Sequence, residues 1–157
     1  MAALRVGRAV SKRDGYVMIE GGYHGVWDAA LWDIDIDEWN PEEGEPEIKP
    51  SSAGVPELTG ELLSLVPFND ANALEDLLKK KHNEIGTLMI EPILGNCCSI
   101  SATQEYMQAV RDLCDKYDIV LIIDEVKTGF RVAKGGCLLY TSPSPRDATL
   151  SRMPSSA

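Results

Sequence analysis

At 157 residues the chain has the length of one domain, enough to bury a core. Its 25 acidic and 15 basic side chains leave a formal charge of −10, which argues against nucleic acid and against an anionic membrane surface as partners. No apolar run approaches the roughly 20 residues of a membrane span, and the N-terminus has no h-region with a small-residue cleavage site.

The four cysteines, Cys97, Cys98, Cys114 and Cys137, include no C-x-x-C pair and two are adjacent. That suits neither a zinc site nor a disulfide framework and predicts reduced thiols in a cytoplasmic protein.

In chain order, Leu4, Ala9 and Val10 with Arg5 and Arg8 outside predict a short helix over Ala2 to Ser11. Arg13-Asp-Gly15 is a turn signal, and Tyr16 to Glu20 reads as a strand ending at Gly21-Gly22, with Tyr23-His24-Gly25 at its mouth. From Asp33 to Ser52 the chain is acidic and carries Pro41, Pro46 and Pro50, the composition of a long surface loop. Alternating Asp33, Asp35 and Asp37 suggest calcium, but an EF-hand loop needs Gly sixth and Glu twelfth, where Glu38 and Gly44 stand. A solvated loop is the better reading, with Trp27, Trp32 and Trp39 as packing anchors beside it.

Leu62 to Pro67 predicts another short strand. Asn69-Asp70 offers an N-cap for a helix over Ala71 to Asn83, with Leu74, Leu77 and Leu78 on one face and Lys79 to Lys81 near its end. Thr87-Leu-Met-Ile is a strand that runs into Glu91-Pro92. Thr103 caps a helix reaching Tyr117, where Tyr106, Val110 and Leu113 recur at helical spacing. Ile119-Val-Leu-Ile-Ile123 then reads as a strand buried on both faces, ending on Asp124-Glu125. This is a βαβ unit with an acid at the mouth of each strand. In open α/β sheets ligands sit outside the carboxyl ends of the strands, so Asp124 is the candidate for chemistry.

Composition changes after Gly136. Cys137 to Asp147 and Ser151 to Ala157 are rich in Ser and Pro without periodicity. Back-translated, the two pieces resemble, in order and in frame, the two parts of a transposase adapter from sequencing libraries. Residues 137–157 are therefore expected to be a non-native, disordered tail, and 1–136 to carry the fold.

A strand ending in Asp-Glu has two chemical readings. The first is the Walker B carboxylates of an ATPase, which also requires a G-x-x-x-x-G-K-S/T loop that this chain does not contain. The second is a pyridoxal phosphate enzyme, where an aspartate fixed at the end of a buried strand keeps the pyridine nitrogen protonated so that the ring can accept carbanion charge. Two acids merely solvated at a sheet edge are the bland alternative.

The surrounding strings choose between them. Gly22-Tyr-His-Gly25, Ile90-Glu-Pro92 with Gly95-Asn96, and Asp124-Glu-Val126 with Thr128-Gly-Phe-Arg131 resemble, in order and spacing, the class III aminotransferases. The branch of glutamate-1-semialdehyde aminomutase is most similar, and Ser51 to Pro56 and Val66 to Asp70 also look like it. The resemblance implies an α/β fold: part of the large domain of a fold type I pyridoxal-phosphate-dependent transferase, a mostly parallel sheet with helices on both faces, truncated at both ends. It implies pyridoxal 5'-phosphate as cofactor, a small-molecule amino donor and acceptor, and a homodimeric parent.

It also implies roles. Asp124 would pair with the pyridine nitrogen, Val126 would pack under the ring and Tyr23 would stack on it. Asn96 would lie near the ring hydroxyl, and Glu91 would support the site from the neighbouring strand. His24 would lie close by, either in direct contact or as a hydrogen-bonded structural histidine. Glu125 reads as a structural acid with Arg131 as candidate partner.

The family's Schiff-base lysine would follow the Gly-Phe-Arg turn and a further strand, in a K-x-x-G-G setting. Neither Lys127, too near Asp124 along the backbone, nor Lys134 fits that role. The family's Ser-Gly-Thr-Glu-Ala phosphate loop is also absent, and Met1 to Arg5 resemble the residues that follow it. The chain by itself is expected to be inactive, with amino-group transfer, or the intramolecular amino shift of the aminomutase, as the parent's reaction.

Overall fold

The computed structural model describes residues 1–35, 46–132 and 136. Four parallel strands form its main sheet: β1 (Gly15–Ile19), β4 (Leu63–Val66), β5 (Ile85–Ile90) and β8 (Val120–Ile123), in the order β4-β1-β5-β8. Parallel neighbours require crossovers, and helices supply them. α2 (Ala71–Lys81) links β4 to β5, and α3 (Gln104–Lys116) links β5 to β8. α1 (Ala2–Ser11) precedes β1.

The cap chemistry is local. Asp70 Oδ1 accepts from Ala73 N at 2.9 Å to start α2, and Thr103 Oγ1 accepts from Tyr106 N at 3.1 Å to start α3. Asn69 does not cap α2. Its side chain accepts from Thr103 N at 3.0 Å and donates to Ser101 O at 3.2 Å, joining the two helix entries.

Alternation along the strands divides the core between the two faces of the sheet. Val17, Ile19, Leu88 and Ile90 pack under α2 and α3, against Leu74, Leu78, Tyr106, Met107 and Val110. Tyr16, Met18, Leu65 and Met89 face the other way, onto Leu4 of α1 and onto Trp32 and Ile34. Each such buried side chain contributes about 1.5–3 kcal/mol. Helices thus cover both faces. α1 lies close on the sheet because Gly7 has no side chain: a Cβ there would stand 2.6 Å from Thr87 Oγ1.

Two expectations require correction. The segment 33–52 is not loop throughout: β2 (Trp32–Ile34) and β3 (Ile48–Pro50) pair antiparallel at its two ends. Trp32 and Ile34 are buried while Asp33 is exposed, so a three-residue ladder with one apolar face underlies the acidic composition. Asp37, Glu38, Trp39 and Gly44 lie outside the described residues, as do Lys134 and residues 137–157. Second, β8 is half-buried rather than buried on both faces. Leu121 and Ile123 meet the α2/α3 core and Ile122 the other, but β8 pairs with β5 alone among the described strands. Two short strands, β6 (Ile93–Leu94) and β7 (Ile100–Ser101), form a further hairpin after β5.

The core makes stability pH-dependent on the alkaline side. Burial pushes the Cys114 thiol up to about 12 and the Tyr16 hydroxyl up to about 12, against the lowering effect of Arg8. In the unfolded chain these groups ionise near ~8.5 and ~10. Their contribution is therefore complete below the unfolded values and is lost as pH rises toward the folded ones, by up to about 1.4 kcal/mol per pH unit per group. The urea midpoint is expected to fall from pH 8.5 upward, and Cys114→Ala to flatten the first part of that fall.

Candidate active site at the strand ends

β1, β5 and β8 run parallel, so the residues after them emerge at one end of the sheet. Asp124 follows β8, with its N–H donating to Ile90 O at 2.8 Å. After β1, Gly22 N donates to Ile19 O at 3.0 Å and Gly21 adopts φ 78°. A turn results that a side chain would strain, and it brings Tyr23 and His24 toward the neighbouring strands.

Three contacts tie these ends together. His24 Nδ1 lies 2.9 Å from Asp124 Oδ2, with the imidazole 1% and the carboxylate 19% exposed. The other oxygen, Asp124 Oδ1, accepts from Val126 N at 3.1 Å. The Glu91 carboxylate, 2% exposed, accepts from Tyr23 N at 2.8 Å through Oε1 and from Gly95 N at 3.4 Å through Oε2. It holds the loop after β1 to the loop after β5. Lys127 Nζ donates to Asn96 Oδ1 and stands 5.3 Å from the centre of the Tyr23 ring, a cation–π contact. Beside the turn, Cys97 Sγ donates to Gly21 O at 3.4 Å.

All six candidate residues gather at this end. Asp124 and His24 touch directly, Glu91 and Tyr23 through the backbone, and Asn96 and Tyr23 share Lys127. Val126 offers its backbone to Asp124 while its side chain is 90% exposed. Sequence reasoning set Lys127 aside and missed that it bridges Asn96 and Tyr23; nothing in its spacing signals a contact between two loops. Glu20 was read only as a strand end. Its Oε2 accepts from Ile34 N at 3.0 Å, and burial raises its carboxyl above the usual range against that hydrogen bond. It anchors β2 to the end of β1.

Glu91 uses both oxygens as acceptors, so its amide analogue must turn an NH2 group toward one of the two backbone N–H donors. Glu91→Gln is expected to cost about 1–3 kcal/mol, read as a lower urea midpoint with an unchanged slope.

The family model described as aminotransferase class-III matches residues 1–142. The chain belongs to the class III aminotransferase family. Among curated relatives, glutamate-1-semialdehyde 2,1-aminomutase of Archaeoglobus fulgidus is 40% identical over 153 residues, which is 98% of this chain and 35% of that protein. Among solved structures, an omega-transaminase from Sphaerobacter thermophilus aligns with TM-score 0.78 at 28% identity, over 88% of this chain and 32% of the other. A transaminase with PLP bound aligns with TM-score 0.75 at 26% identity, over 92% of this chain and 32% of that one. The chain thus spans about a third of the length of the curated relatives it matches.

Membership makes this sheet part of the fold of pyridoxal-phosphate-dependent transferases and leaves the Walker B reading of Asp124-Glu125 without support. Arg131 is exposed, its N–H donating to Thr128 O at 3.1 Å. No helix among the described residues is long and apolar enough to cross a membrane.

Proposed function

We propose that these residues form part of the site of a class III enzyme that moves an amino group between a small-molecule amino donor and an aldehyde or keto acid. The observation that carries the reading is the Asp124 carboxylate, held by His24 on one oxygen and by Val126 N on the other. A carboxylate has about four lone-pair sites, so two remain for a donor at the open strand end. That donor set fits the protonated ring nitrogen of pyridoxal 5'-phosphate. Bound there, the cofactor supplies an electron sink for the carbon that carries the amino group.

The chain's own part is binding and orientation. Asp124 keeps a proton on the ring nitrogen by a charge-assisted hydrogen bond. Tyr23, Val126 and Asn96 would hold the ring, and Glu91 fixes the loops that carry Tyr23 and Asn96. Neither Lys127, already engaged with Asn96, nor Lys134 stands in a K-x-x-G-G string, so the chain is expected to bind the cofactor without turnover. Val126, Phe130 and Val132, in the segment that follows Asp124, are 90%, 84% and 51% exposed. That apolar run supports a homodimeric parent, and the free thiols Cys97, Cys98 and Cys114 support a cytoplasmic one.

A second reading, the intramolecular amino shift of an aminomutase, is favoured by the name of the 40% identical relative. A protein carrying these residues at the relatives' full length separates the two: transfer to an added keto acid against rearrangement with no acceptor. For the 157-residue chain the test is titration with pyridoxal 5'-phosphate followed by borohydride and mass measurement. Saturable binding without a fixed adduct is expected. No binding defeats the proposal, and an adduct at Lys127 defeats its assignment of the lysines.

A further inference from the structure

Two adjacent thiols stand at the edge of the site with no part in it. Cys97 and Cys98 follow Asn96 directly, in the turn that joins β6 to β7. Cys97 is half-buried, and its Sγ donates to Gly21 O at 3.4 Å. The packing there is close, because a Cβ on Gly21 would stand 2.9 Å from that sulfur. The thiol thus ties the loop that carries Asn96 to the turn that presents Tyr23 and His24. Cys98 is exposed. It and Ser99 adopt φ 51° and 57°, a left-handed backbone that costs energy wherever a side chain is present. Hydrogen bonds from Cys97 N to Leu94 O at 3.3 Å and from Ile100 N to Cys97 O at 3.1 Å hold the turn in that form. Cys114, by contrast, is buried in the core beneath α2 and α3.

We propose that Cys97 and Cys98 form a reversible oxidation site, which a hydroperoxide converts to a vicinal disulfide that releases Cys97 Sγ from Gly21 O. The exposed Cys98 reacts first. Its thiolate attacks one peroxide oxygen, the O–O bond breaks, and the second oxygen leaves with the thiol's proton as water or an alcohol. The Cys97 sulfur then attacks the sulfenic acid on Cys98. The S–O bond breaks, and the hydroxyl leaves with the Cys97 proton as water. Two thiols are oxidised and one hydroperoxide is reduced. A disulfide sulfur carries no proton, so the hydrogen bond to Gly21 O is lost with the reaction. Adjacent Cα atoms are about 3.8 Å apart, below the roughly 4.4–6.8 Å at which a disulfide closes without strain. The product is therefore readily reduced, as suits a transient bond rather than a structural one. Its effect on the site rests on the cofactor reading given above: it loosens the loops that carry Tyr23 and Asn96. Glu91 still links those loops, so the loss is partial.

The test treats the full 157-residue chain with hydrogen peroxide, removes the excess, alkylates the remaining thiols and digests with trypsin. Cys97 and Cys98 share the peptide from His82 to Arg111, which holds no other cysteine. The expected product is that peptide unalkylated and lighter by two hydrogen atoms, returned to the dithiol by glutathione. Titration with pyridoxal 5'-phosphate is expected to show about three- to tenfold weaker binding to the oxidised chain, the scale of one hydrogen bond. Reduction is expected to restore the affinity. Cys98→Ser is expected to form no such disulfide and to keep its affinity under peroxide. A peptide that still takes two alkyl groups, a disulfide to another chain, or a product that glutathione leaves in place overturns the proposal. So does a reversible disulfide that leaves cofactor affinity unchanged. Where neither form binds the cofactor, the functional reading falls and the backbone NMR signals of Gly21 and Gly22 decide the inference. A shift on oxidation that glutathione reverses upholds it, and no shift overturns it.

Discussion

Asp124→Asn is expected to weaken pyridoxal 5'-phosphate binding by about 10- to 100-fold and to lower the urea midpoint as well, because its NH2 group must face Val126 N–H, which donates to Asp124 Oδ1 at 3.1 Å. The substitution keeps the shape of the side chain, and an amide oxygen can still accept from His24 Nδ1, now 2.9 Å from Oδ2. What it removes is the negative charge and the oxygen that accepts from Val126 N. A hydrogen bond to a charged group contributes about 1.5–3 kcal/mol, which corresponds to about 10- to 100-fold in affinity. Equilibrium titration against the ring absorbance, with urea unfolding in parallel, separates this loss from a folding defect. Conversely, cofactor at 100 times its Kd is expected to stabilise the unmodified chain by about 2.7 kcal/mol by mass action, and the Asn variant by much less at the same concentration.

Arg13→Ala is expected to cost about 3 kcal/mol of stability, the scale of hydrogen bonds made by a charged donor to partly buried carbonyls. Arg13 lies in the turn between α1 and β1, at the end of the sheet away from Asp124, with its side chain 16% exposed. Its Nη1 donates to His82 O at 2.6 Å and to Tyr117 O at 3.2 Å, and its Nη2 donates to Asp118 O. His82 is the C-cap of α2 and Tyr117 the C-cap of α3. One guanidinium therefore meets carbonyls left without helical partners at two helix ends, where a cation is also favoured by the helix dipole. Alanine leaves these carbonyls to whatever water can reach them. The ion pair with Asp118, 3.9 Å away and fully exposed on its acidic side, adds little. Lysine, a single ammonium in place of a planar fork, is expected to recover less than half of the loss. Chemical unfolding of the three proteins checks both statements.

The parallel strands and the three helices were legible because each rests on a strong local signal. β5 and β8 are short apolar runs bounded by turns or acids, α1 to α3 repeat their apolar residues at helical spacing, and Asp70 and Thr103 are side chains that cap in place. The β2–β3 pair was hidden because its apolar side rests on Trp32, Ile34 and Ile48, scattered through a stretch dominated by acids and prolines. Two-residue β6 and β7 are too short to show any period. Burial of β8 was overestimated because an apolar run reports what a strand can bury, not how many neighbours it has.

At the site, the placement of Asp124, Glu91, Tyr23 and His24 followed from strand ends lying side by side in a parallel sheet. Their partners did not. Whether His24 meets Asp124 or a ligand depends on a turn closed by Gly22 N and on the register of β1 against β5, and no spacing in the chain encodes the reach of Lys127 to Asn96.

Nitrogen NMR of ring-labelled pyridoxal 5'-phosphate bound to the chain is the most direct check on Asp124. A ring nitrogen that is protonated in the unmodified chain at neutral pH, and loses its proton in Asp124→Asn, is the predicted result. A neutral ring nitrogen in the unmodified chain, or one whose protonation ignores residue 124, would contradict it.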